Sequence, residues 1–137
     1  MKKNKALYIE DAAKAAGVYD QLIRIVGDQP EWIGPAPDIS AFLVDAQKKS
    51  LVSETKAEAN RRILAILPEW KQRNYTARAV EKLAAGEVGD DEWNAMNAAW
   101  TAIKAIRVAS DAIEAEIAAL TDEQAGQYDV AASNLWP

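Results

Sequence analysis

The chain contains no histidine and no cysteine, only one phenylalanine, and no long apolar run. Each absence closes off a class of function. Without cysteine there are no disulfides, no thiol nucleophile and no cysteine-ligated zinc or iron–sulfur site. Without histidine there is no histidine-based triad, no Glu-x-x-His di-iron motif and no imidazole shuttle near neutral pH. No stretch reaches the roughly 18 apolar residues that cross a bilayer. Met1 to Lys5 is basic, but the apolar residues after it stop at Glu10. That is too short for a signal peptide, so the chain is expected to be made and kept in a cytoplasm.

What is present suits a helical scaffold. The 137 residues fit one domain. About a fifth of them are alanine, the best helix former. The larger apolar surface comes from five tryptophans and the Ile/Leu set. With 16 Lys+Arg against 21 Asp+Glu the net charge is -5, which argues against broad nucleic-acid binding. A local basic cluster exists at Arg61, Arg62, Lys71, Arg73, Arg78 and Lys82, interspersed with Glu58, Glu69 and Glu81. A solvated helix face explains it more simply than a DNA contact.

The patterning predicts an all-α fold, an elongated helical hairpin or bundle with one long helix at about 91–120 and a Pro-rich extended linker. Four segments follow. Residues 1–27 form an N-terminal piece, with helix favoured over strand for 9–26; as a strand, Tyr19, Ile23 and Ile25 would share a face. Gly27 could cap that helix. Residues 28–38 carry Pro30, Pro35 and Pro37 and read as a linker. Residues 39–120 form the bundle, begun by Asp38 as N-cap. Pro68 ends one helix near Leu67, Thr76 caps the next, Gly86 stops it, and Val80 and Leu83 face inward. Residues 121–137 form a short helix, opened by a Thr121/Gln124 capping box and running to about Ser133, then a tail.

The stripe of the long helix is Trp93, Met96, Trp100, Ile103, Ile106, Ser110, Ile113, Ile117 and Leu120, at spacings 3, 4, 3, 3, 4, 3, 4, 3. Its second half follows a coiled-coil rhythm. Such a helix would be about 45 Å long. The residues expected to meet a partner are Ile106, Ile113, Ile117 and Leu120 as a seam, with Trp32 and Trp136 as aromatic anchors. Burial of the seam against the chain's own first helix is the competing outcome. Asp90, Asp91 and Glu92 fit helix capping, and Glu114 and Glu116 fit solvation. No catalytic, cofactor-binding or metal-binding residues are assigned, and no enzymatic activity, cofactor or small-molecule substrate is expected.

The run Arg61 to Ala79 (RRILAILPEWKQRNYTARA) resembles a helical segment of tailed-bacteriophage and prophage tail-fibre and tail-fibre-assembly proteins. Glu92 to Trp100 and Ile103 to Glu114 look like its companion, and Pro30 to Pro37 is similar to the extended piece that precedes it. The resemblance covers roughly residues 28–114 and carries no site residues. It implies a non-enzymatic virion structural protein, a small helical subunit of the tail, fibre or baseplate region. Such a subunit is made in the bacterial host cytoplasm and located in the virion. Its expected partners are other tail or fibre proteins and further copies of itself, with neither nucleic acid nor membrane. The alternative is an intracellular tail-fibre assembly chaperone or adaptor absent from the mature particle.

Overall fold

A computed structural model describes residues 6–137. Among these residues the chain is mostly helical. Its elements are α1 (Ala6–Ala15), a 3-10 turn at Tyr19–Gln21, β1 (Leu22–Val26), β2 (Gln29–Trp32), α2 (Ser40–Ile66), α3 (Glu69–Ala85), α4 (Asp91–Ala118) and α5 (Asp122–Gln127). The all-α expectation is therefore corrected by a two-stranded antiparallel sheet. Residues 1–5 of the expected N-terminal segment lie outside the described residues.

The chain divides into two compact units. One takes residues up to Glu54 together with Glu114–Val130; the other takes Thr55–Ile113 and Ala131–Pro137. α2 and α4 each supply residues to both units.

In the first unit, α1 turns Tyr8, Ile9, Ala12 and Ala13 inward, the helical spacing of a buried face. Helix does not continue to Val26. Gly17 takes φ 74, and the Val18 amide donates to the Ala13 carbonyl, which closes α1 with a Schellman motif. The run Leu22–Val26, with β-branched Ile23, Ile25 and Val26, then pairs with Gln29–Trp32. Gly27 caps no helix; with φ 64 it takes the first position of the two-residue hairpin turn. Four of the eleven residues of the supposed linker, Gln29–Trp32, are thus strand. Pro30 is tolerated because a two-stranded ribbon has only edge strands.

A register shift between Leu22 and Arg24 breaks the period of two. Leu22 and Ile25 pack on the Ile9, Ala12 and Ile39 cluster, whereas Ile23 and Tyr19 are exposed. The face expected to hold Tyr19, Ile23 and Ile25 together is split by that bulge. Trp32 packs on the same cluster with Leu43.

Asp38 opens α2 by accepting from the Ser40 amide at 3.1 Å. The helix runs unbroken for 27 residues. With α4 at 28 residues, there are two long helices rather than one. α4 ends at Ala118, where the Lys48 ammonium donates to its carbonyl at 2.9 Å. α5 has the expected capping box but stops at Gln127, short of Ser133.

In the second unit, Met96, Ile103, Ile106, Ala109, Ser110 and Ile113 form the buried side of α4. Burying a whole isoleucine is worth about 2 kcal/mol, an upper figure for a collapsed denatured chain. Glu58 on α2 accepts from Arg61 and from Arg62, at 2.6 and 2.7 Å. Arg62 also lies 4.8 Å from the centre of the Trp136 ring and donates to the Ala131 carbonyl. That contact holds the tail residue Trp136, which is 8% exposed.

Gly86 should resist substitution. It sits at φ 70 as the left-handed cap of α3, in open space. Gly86→Ala is expected to cost about 1 kcal/mol by backbone strain alone, checked by urea unfolding. Glu58 should govern part of the acid response. The Arg61 hydrogen bond, opposed by partial burial and aided by Arg62, lowers its pKa from 4.5 to about 2. A depressed carboxyl stabilises above its unfolded value, and that stability is lost as the pH falls through the folded value. Glu58→Gln should therefore be less stable at pH 7, with the gap closing between pH 4.5 and pH 2 in circular-dichroism melts.

Candidate protein–protein interface

The candidate site lies on α3 and the part of α4 that belongs to the same unit. Pro68 cannot continue α2, and at φ -55 and ψ 152 it redirects the chain into α3. The Gln72 side chain donates back to the Leu67 carbonyl at 2.7 Å, satisfying one orphan acceptor of the α2 end. Thr76 begins no helix. Its hydroxyl donates to the Gln72 carbonyl one turn earlier, and α3 passes straight through it. At the far end the Glu87 amide donates to the Lys82 carbonyl around Gly86, as in a Schellman motif.

The face that α3 turns inward is not its most apolar one. Gln72, Tyr75 and Ala79 are half-buried and Lys82 is 2% exposed, a spacing of 3, 4 and 3. Val80 and Leu83, expected inside, are 63% and 59% exposed, and Trp70 is 57% exposed.

The reason is electrostatic. The Lys82 ammonium donates to Asp90, lies 3.1 Å from Glu92 and is 3.6 Å from Glu87. Arg78 grips Glu92 through two nitrogens at 2.7 and 3.2 Å and meets Glu81 at 2.9 Å. Asp90 also caps α4 by accepting from the Trp93 amide at 2.8 Å. These groups tie the end of α3 to the start of α4. A buried ammonium is costly alone and is held here by three carboxylates. Hydrogen bonding to Asp90 raises the Lys82 pKa, against desolvation, which lowers it. The Lys82 hydrogen bond lowers the Asp90 pKa, with help from the Trp93 amide. Arg78 and then Lys82 lower that of Glu92, and Glu92 raises that of Arg78.

The outward side of α3 borders an open groove of about 450 Å³ lined by Gln72, Arg73, Thr76, Ala77, Val80 and Trp100. At the start of α3 the Lys71 ammonium sits 5.4 Å from the centre of the Trp70 ring. An apolar floor with tryptophan and arginine at hand has the composition of a binding hot spot. Among the described residues there is no group of three or more Asp or Glu side chains placed to hold a metal ion. No helix there is long and apolar enough to cross a membrane.

The sequence-predicted contact residues lie elsewhere. Ile106, Ile113 and Ile117 are buried within the chain. Leu120 is half-buried just beyond α4. Trp136 is covered beside Arg62, and Trp32 is half-buried against α1. Trp32, Ile117 and Leu120 belong to one unit and Ile106, Ile113 and Trp136 to the other. Of the basic cluster, Arg61, Arg62, Arg78 and Lys82 are ion-paired. Lys71 and Arg73 make no ion pair among the described residues. The outward residues Trp70, Val80 and Leu83 were missed because an apolar side chain on a helix is read as inward-facing. The available signal was Lys82, eight residues before Asp90 across a glycine-containing turn.

The tie should weaken at both pH extremes. Asp90 and Glu92 stabilise above their ordinary values of 3.8 and 4.5, and that contribution is lost as the pH falls through their lowered folded values. Lys82 stabilises below 10.5, and its contribution is lost as the pH rises through its raised folded value. Lys82→Met should melt below the parent at pH 7, and by a smaller margin once acid protonates both carboxylates. Thermal scans from pH 7 down to pH 2 check this. No protein-family model, no curated protein and no solved structure matches this chain.

Proposed function

We propose that this chain is a non-enzymatic virion protein of a tailed phage. It is a small helical subunit of the tail, fibre or baseplate region, and it acts by binding other tail or fibre proteins. The phage setting rests on the resemblance of residues 61–79 and 92–114 to tail-region helices. The assembly role rests on one observation: Trp70, Val80 and Leu83 stand exposed on a helix tied at its far end by ion pairs. Large apolar side chains held outward on an ordered element favour association over solvation.

The interface belongs on α3 rather than on the α4 stripe. An aspartate at Ile113 or Ile117 would place a charge at a fully covered position and unfold the chain, so it could not report on assembly. The same exposed α3 face also suits a chaperone that shields apolar surface on a fibre protein until assembly.

Mass spectrometry of purified particles of the encoding phage separates the two roles. Stoichiometric presence is expected. Absence from particles, with co-purification on a tail-fibre protein from infected cells, would select the chaperone. Absence from both would overturn the tail assignment.

A further inference from the structure

We propose that the segment Ala131–Pro137 is exchanged between copies of this chain, so that Trp136 of one copy occupies the Arg62 site of another. The partner is a second copy. This goes beyond the assembly role proposed above and uses none of the outward residues of α3.

The receiving side is complete on one helix. Glu58 and Arg62 lie one turn apart on α2. Glu58 accepts from the Arg62 Nε at 2.7 Å and from Arg61 at 2.6 Å. These charge-assisted bonds hold the Arg62 guanidinium from within α2, whichever chain fills the space beside it. The guanidinium then offers a flat cationic face and a remaining N–H group. The Trp136 ring takes the face, with its centre 4.8 Å away, and the Ala131 carbonyl accepts from Nη2 at 3.3 Å.

The seated side has its own local shape. Between Ala131 and Trp136, the Leu135 amide donates to the Ser133 hydroxyl at 3.2 Å, a turn made within the segment. The segment belongs with Thr55–Ile113, whereas the residues just before it, Glu114–Val130, belong to the other unit. α5 ends at Gln127, and no helix or strand lies between it and Trp136. Redirecting the segment therefore unwinds no regular element.

The seated sequence selects the occupant. What fits the Arg62 site is Ala131–Pro137, and a second copy carries that same sequence. An unrelated partner would have to supply an indole and a carbonyl at the same separation. Exchange replaces each contact by an identical one, so its cost is the freedom lost on association and not a loss of contacts. The high effective concentration of neighbouring copies in an assembly offsets that cost.

The test uses full-length chains. Trp136→Ala keeps the site and loses the anchor; Arg62→Ala keeps the anchor and loses the site, while Arg61 still pairs with Glu58. In sedimentation the parent is expected to pass from monomer to dimer as its concentration rises. An equimolar mixture of the two variants should associate at least about tenfold more tightly than either variant with itself, because only the mixture can form an intact clasp. Mixing Arg62→Ala with a chain carrying both substitutions should give no such gain.

A parent that stays monomeric at every concentration would overturn the proposal. So would a mixture that associates no better than its components, or a gain that persists with the doubly substituted chain. If either variant loses the parent's circular dichroism, isotope-filtered NOEs in a half-labelled parent dimer replace the mixture. They should connect the Trp136 indole of one copy to the Arg62 side chain of the other, and their absence overturns exchange equally. Failure here leaves the virion assignment standing, and absence of the chain from particles leaves exchange standing.

Discussion

A lysine ammonium can leave water only if carboxylates replace the water, and Lys82 meets that requirement with Glu87, Asp90 and Glu92. Much about the second unit follows from this constraint. All three carboxylates come from the turn after α3 and the first residues of α4, so satisfying Lys82 also fixes how one helix hands over to the next. It also fixes the rotation of α3. With Lys82 inward, Tyr75 and Ala79 follow it, and Val80 must point away. The exposed apolar face is the geometric counterpart of the buried charge.

The same network has a second consequence. Arg78 and Glu92 are joined bidentately, and Asp90 is used twice, by Lys82 and by the Trp93 amide. Charges that might have formed a long basic face are thereby cancelled in place. Lys71 and Arg73, two residues apart on α3, make no ion pair among the described residues.

Much of the helical architecture was legible. Asp38, Pro68, Gly86, Asp90 and the Thr121/Gln124 pair mark helix ends because capping chemistry is local and needs few residues. The α4 stripe was legible too, since Met96, Ile103, Ile106, Ser110, Ile113 and Ile117 are all covered. Less of the N-terminal region could be read. Gly17 and Gly27 look alike as glycines after apolar runs, yet one closes α1 and the other turns a hairpin. The difference lies in the partner strand Gln29–Trp32, which proline-rich composition disguised as a linker.

By itself, then, the sequence determined the helical class, the positions of most helix ends and the absence of histidine and cysteine chemistry. Each of these depends on residue type or on neighbours a few positions away. Tertiary structure alone decided that Ile106, Ile113 and Ile117 serve the chain's own core and that Val80 and Leu83 face water. Periodicity defines a stripe but not what covers it. On α3 two stripes were available, and the pairing of Lys82 with groups beyond Gly86 chose the less apolar one for burial.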